Sequence, residues 1–76
     1  DATRDAKTQL QEWLQGRHFS LPCYEVVSIT GEDHSQMFEV SCVCEASKHR
    51  AVGIASSRKK AEQQAANNLL EILIHE

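Results

Sequence analysis

Seventy-six residues make one domain, and a chain this short buries only about 60 to 65 % of its unfolded surface, which leaves little room for both a core and a deep catalytic cleft. Hydrophobic residues at 41 % and charged residues at 25 % describe a soluble globular domain, with no charged-then-apolar leader and no apolar run near the roughly 18 residues a membrane span needs. The net charge of −3 opposes a simple electrostatic nucleic-acid binder, unless the cations are gathered into a patch.

Residues 1–4 are polar and are expected to be the remnant of a linker, with the domain running over 5–76. Residues 5–15 are expected to form an amphipathic helix. Asp5 is a suitable N-cap and Gly16 a suitable C-terminal stop. Ala6, Leu10, Trp13 and Leu14 fall in one arc when each residue turns about 100°. A loop follows, with Pro22 marking the entry into extended structure.

Tyr24 to Ile29 is rich in β-branched and aromatic residues and is expected to be a strand. Gly31 to Gln36 is a polar loop. In Met37 to Cys44 the residues alternate. Phe38, Val40, Cys42 and Cys44 face one way, and Met37, Glu39, Ser41 and Val43 the other, so the spacing predicts a strand with one buried face. Arg50 to Ala55 is a short third strand. A second helix is expected from Ser57 to about Ile74, with Ala61, Ala65, Leu69, Ile72 and Leu73 as its apolar stripe. Short loops make the strands a meander, and both helices can cover one sheet face. The expected fold is α+β, a two-layer α-β-β-β-α domain with a three-stranded antiparallel sheet.

Three surface features carry possible chemistry. Thr8, Gln11, Glu12 and Gln15 share an arc opposite the apolar stripe. A solvated helix face is the plain interpretation. However, three of the four are uncharged groups that both donate and accept hydrogen bonds, as the 2′-hydroxyls and base edges of a shallow minor groove require. At Ser57, Arg58, Lys59 and Lys60 a natural N-cap precedes three cations placed where the helix dipole is already positive. An anion there would gain from free backbone N–H groups, the dipole and the side chains together. The third feature is the hairpin loop Gly31-Glu32-Asp33-His34-Ser35, whose histidine either inserts into a groove or stands in solvent.

The three cysteines, Cys23, Cys42 and Cys44, do not form a disulfide framework and suit a reducing, cytoplasmic setting. Cys42-x-Cys44 with His49 nearby lacks the paired spacing of structural zinc, and core packing explains it better. No nucleophile–base pair, Gly-rich phosphate loop or carboxylate cluster is evident. Neither a catalytic residue nor a metal site is assigned.

Three segments together resemble the double-stranded-RNA-binding domain: K-T-Q-L-Q-E-W-L-Q at residues 7–15, G-E-D-H at 31–34 followed by Phe38, and V-G-I-A-S-S-R-K-K-A-E-Q-Q-A-A at 52–66. The K-T-x-L-Q-E opening and the A-E-Q-x-A-A continuation are most similar to the C-terminal domain of bacterial ribonuclease III. The resemblance implies a three-point grip on A-form RNA. Thr8, Gln11, Glu12 and Gln15 would enter one minor groove, and Gly31, Asp33 and His34 the next. Ser57, Arg58, Lys59 and Lys60 would span the intervening major groove on phosphates, over about 16 bp. Two departures stand out. Glu32 stands where the family often has proline, and Glu62 stands in place of a third lysine.

The resemblance also implies that cleavage of double-stranded RNA, in processing of ribosomal and messenger RNA, belongs to a separate N-terminal domain whose carboxylates hold Mg2+. This chain would bind without cutting, with no cofactor, small-molecule ligand or membrane of its own. It would be a monomer in isolation and part of a homodimeric parent. Two other functions compete: a protein-interaction module of the same fold that lacks RNA binding, and a small enzyme.

Overall fold

The computed structural model describes residues 5–75, so the linker expected over residues 1–4 lies outside the described part. Helix α1 covers Ala6–Gln15. Asp5 caps it as expected, its carboxylate accepting from the backbone N–H groups of Lys7 at 3.0 Å and Thr8 at 3.4 Å. The helix stops at Gly16, but not by a left-handed glycine. Gly16 keeps right-handed helical angles, and the reversal comes at His18, whose φ is 65°. Phe19 then donates its N–H to the Leu14 carbonyl at 2.9 Å. This satisfies one of the carbonyls a helix end leaves orphaned.

Strands β1 (Cys23–Thr30), β2 (Met37–Val43) and β3 (Arg50–Ala55) form one antiparallel sheet in that order, and helix α2 spans Arg58–His75. The fold is the expected α-β-β-β-α, with both helices on one face. Within β1 the register slips: Val26 pairs with Val40, yet Ser28 pairs with Glu39. Val27 is the extra residue of a β-bulge. Before the bulge, Tyr24 and Val26 are half-buried beside Cys42 and Val40; after it, the Ser28 hydroxyl donates to Glu39 at 3.1 Å.

The alternation of β2 holds on the helix side, where Val40 and Cys42 are fully buried. On the other face it fails at Ser41, which is 4 % exposed. Ser41 lies on the central strand between its register partners Glu25 and Val52, and a side chain this small is sheltered between larger neighbours.

Helix α2 lies directly on β2 and β3, and α1 packs against α2. The core joins Leu10 and Leu14 of α1 to Cys42, Ala51, Ala65, Ala66, Leu69 and Leu73. Two expectations shift here. Ala66 is buried, whereas Ile72 is half-buried, because α2 lies across two strands and its contact stripe is displaced. Trp13 is also half-buried and at the rim of this core, with the Arg17 guanidinium stacked 3.9 Å from its ring centre.

Gly53 sets how closely the layers approach. A Cβ added there would overlap the Ala61 carbonyl oxygen and the Ala65 backbone nitrogen of α2. These are backbone atoms, so no rotamer change relieves the clash. Gly53→Ala is expected to lower stability by roughly 1–3 kcal/mol or more through overpacking. Leu10→Ala should cost roughly 2–5 kcal/mol by leaving a cavity. Urea unfolding followed by circular dichroism measures both, and an unchanged midpoint for Gly53→Ala would contradict the close-packing account.

Candidate nucleic-acid interface

The four polar residues of α1 are all exposed. Gln11, Glu12 and Gln15 carry no side-chain hydrogen bond to any described residue, so their donors and acceptors stay available. Thr8 sits in the first turn, beside the Asp5 carboxylate that caps the helix. The face is set by packing: burial of Ala6, Leu10 and Leu14 leaves positions 8, 11, 12 and 15 pointing away from the core.

The start of α2 presents the cations. The Ser57 hydroxyl accepts from the Lys60 N–H at 3.2 Å, capping the helix as expected. Lys59 and Lys60 are exposed and form no ion pair among the described residues. Arg58 differs from them, because its Nε donates to Glu62 Oε2 at 3.0 Å, one helical turn on. The second oxygen of Glu62 accepts from Lys7 Nζ at 2.7 Å across the helix pair. Glu62, with 14 % of its side chain exposed, is therefore a bridge between α1 and α2. The hydrogen bond from Lys7 is the main cause holding its carboxyl below the ordinary range, with Arg58 adding and partial burial opposing. The apparent conflict between three cations and the helix dipole is thus partly met from inside the domain.

A second tie runs beside the first. The Gln63 side-chain oxygen accepts from the Ala6 N–H at 2.8 Å and the Lys7 N–H at 3.3 Å, while its amide donates to Asp5. Residues of α2 thereby satisfy the N–H groups that the start of α1 leaves unpaired. Lys7 Nζ also lies 4.8 Å from the centre of the Tyr24 ring, within cation–π range. Sequence reasoning missed Lys7, Glu62 and Gln63 as a unit. The Arg58–Glu62 spacing is legible as an i,i+4 pair, but the link to α1 leaves no local mark.

The loop joining β1 and β2 is built on Gly31, whose φ is 95°. A Cβ there would overlap the Ser35 carbonyl oxygen. The turn closes through the Ser35 N–H donating to the Glu32 carbonyl at 2.8 Å, with Glu32 rather than proline at position 32. Asp33 and His34 are exposed at its tip. Phe38 pairs with Ala55 and Thr30 with Met37, so this loop and the start of α2 stand at the same end of the sheet. The N-terminus of α1 is tied to the second turn of α2.

No three of the described histidine, cysteine and acidic residues come together as a possible metal site. Cys42 lies in the core, where burial pushes its thiol up to about 11, leaving it neither an available ligand nor a nucleophile.

A family model described as a double-stranded RNA binding motif matches residues 6–73. The chain belongs to this family. The motif here is 54 % identical over 72 residues to the ribonuclease 3 of Delftia acidovorans, covering 95 % of this chain and 32 % of that protein. It is 53 % identical over 70 residues to the ribonuclease 3 of Actinobacillus pleuropneumoniae serotype 3, covering 92 % of this chain and 31 % of that protein. The chain therefore spans about a third of these relatives. Among solved structures it is similar to Arabidopsis HYL1, described for its implications for miRNA processing. The TM-score is 0.75 at 30 % identity, covering 93 % of this chain and 99 % of that one.

The helix ties of the motif make acid stability predictable. The Glu62 carboxyl is held below its ordinary 4.5 and that of Asp5 below its ordinary 3.8. Their contributions are complete above those unfolded values and are lost as pH falls through the lower, folded ones. The urea midpoint should therefore stay level from neutral pH down to the ordinary carboxylate range and drop below it. Glu62→Gln should show a smaller acid drop, and equal acid sensitivity in both chains would refute this role for Glu62.

Proposed function

We propose that this chain binds double-stranded RNA by its A-form shape, as the substrate-binding part of a ribonuclease III. The observation that carries the reading is the combination of two sets of groups on one scaffold. One is an uncharged Gln face on α1 with no partner among the described residues. The other is two lysines, also without a partner among the described residues, at a capped helix start held to α1 by the Glu62 and Gln63 ties. Gln11, Gln15 and Thr8 offer donors and acceptors to 2′-hydroxyls and base edges, with Glu12 accepting from a 2′-hydroxyl. Gly31, Asp33 and His34 present backbone and imidazole to a second minor groove. Ser57, Lys59 and Lys60, with Arg58, face the phosphates between the two.

The ribonuclease 3 relatives support the parentage. In that parent, a separate domain cleaves duplex RNA with Mg2+ held by its own carboxylates. The described residues hold no cluster suited to that metal, so no step of cleavage is assigned to them. The parent acts in the cytoplasm as a homodimer, and the isolated domain is a monomer.

The test is a gel-shift titration of the chain with RNA and DNA duplexes of one sequence at fixed salt. Tight RNA binding and much weaker DNA binding are expected, and equal affinities would overturn shape reading. About three phosphate contacts should give a slope of log K against log salt of roughly −2 to −3. Lys59→Ala should weaken binding and flatten that slope by roughly one unit. Arg58→Ala should do less, because part of its charge is already engaged by Glu62. Gln11→Ala should weaken binding with the slope unchanged.

A further inference from the structure

Glu62 is out of place by charge alone. A carboxylate one turn from three cations subtracts from the positive field that an anionic ligand would meet. A residue that violates a local preference is informative when something compensates, and here the compensation is geometric. Both carboxylate oxygens are in use, each on a cation of a different helix: Lys7 on α1 at 2.7 Å and Arg58 on α2 at 3.0 Å. Its side chain is 14 % exposed, and Lys7 Nζ also lies 4.8 Å from the centre of the Tyr24 ring.

We propose that Glu62 is a positioning residue for duplex recognition, fixing the spacing between the groove-facing helix α1 and the phosphate-facing start of α2 without touching RNA itself. The inference rests on the duplex-RNA reading above and deepens it. A protein rejects a duplex of the wrong groove geometry only if it cannot flex to follow it, which requires its contact groups to be locked by a supporting shell. Glu62 supplies that lock between the two helices through a residue 55 positions away in the chain. It also engages the Arg58 guanidinium through Nε at 3.0 Å, trading some phosphate attraction for selectivity.

The test uses the 76-residue chain and four variants: Glu62→Gln, Lys7→Glu, Glu62→Lys, and the double exchange of Lys7→Glu with Glu62→Lys. Each is titrated with RNA and DNA duplexes of the same sequence over a salt series, and its thermal midpoint is checked to lie above the assay temperature. Glu62→Gln keeps the size but loses a charge and releases a cation. Its salt slope should steepen by up to about 0.9, while the ratio of RNA to DNA affinity falls by roughly tenfold, within the range over which network residues tune coupling. Each single exchange should lose selectivity as well, and the double exchange, which restores a bridge with the charges reversed, should regain most of it. Purely structural support would lower the midpoint alone. A folded Glu62→Gln with an unaltered ratio, or a double exchange no more selective than its parts, overturns the inference. If Glu62→Gln does not fold, the exchange pair decides. A wild-type chain that binds no duplex overturns both this and the function above, whereas wild-type binding with unaffected variants overturns this inference alone.

Discussion

The contact between Gly53 of β3 and the backbone of α2 at Ala61 and Ala65 governs where everything functional stands. Side chains normally keep a helix well above a sheet. Here one position has no side chain and the helix positions facing it are alanines, so backbone lies on backbone. Dispersion attraction is strong at such range because few voids remain. The consequence reaches the surface. With α2 fixed on β2 and β3, its first turn is held at the end of the sheet where the β1–β2 loop projects. The cations and the loop therefore inherit their separation from a contact that includes neither.

A thin core alone would leave α1 less well placed, since it packs mainly on α2. Two adjacent residues of α2 correct this. Gln63 completes the hydrogen bonding of the α1 N-terminus, and Glu62 pairs with Lys7. An exposed ion pair contributes little, because solvent screens it. This one is more sheltered and shares its carboxylate with a second cation. Its value lies in orientation more than in stability.

Five elements were legible because their periodicities are clean and their ends carry signals. β3 runs from Arg50 to Ala55 as expected, and Asp5 and Ser57 cap the helices. What was not legible depends on partners distant in sequence. Trp13 reads as a core anchor by size, yet it is at the rim under Arg17. Gly16 reads as the C-terminal stop of α1, but it keeps helical angles and the reversal comes at His18. Glu62 reads as a lysine lost from a phosphate site, because nothing in the local sequence reveals Lys7 beside it. The candidate contact residues were legible as exposed faces; the ties that hold those faces were not.

The acidic balance of the chain has the same explanation. Several carboxylates act as internal acceptors. Asp5 caps α1, Glu39 takes the Ser28 hydroxyl, Glu45 takes the Ser20 N–H, and Glu62 holds two cations. Lys59 and Lys60 have no such partner among the described residues. Net charge sums over the whole chain, whereas a ligand meets the local field of the patch it touches. The free edge of β3 is treated similarly. Gln64 accepts from the Ile54 N–H at 2.9 Å and Asn68 donates to the Val52 carbonyl at 2.8 Å, so α2 covers part of the edge by which another strand would add. On β3 the polar groups that would recruit a protein strand are thus partly satisfied internally, while the side chains of Gln11, Gln15, Lys59 and Lys60 have no partner among the described residues. That asymmetry favours a nucleic-acid partner over a protein one, despite a charge of −3.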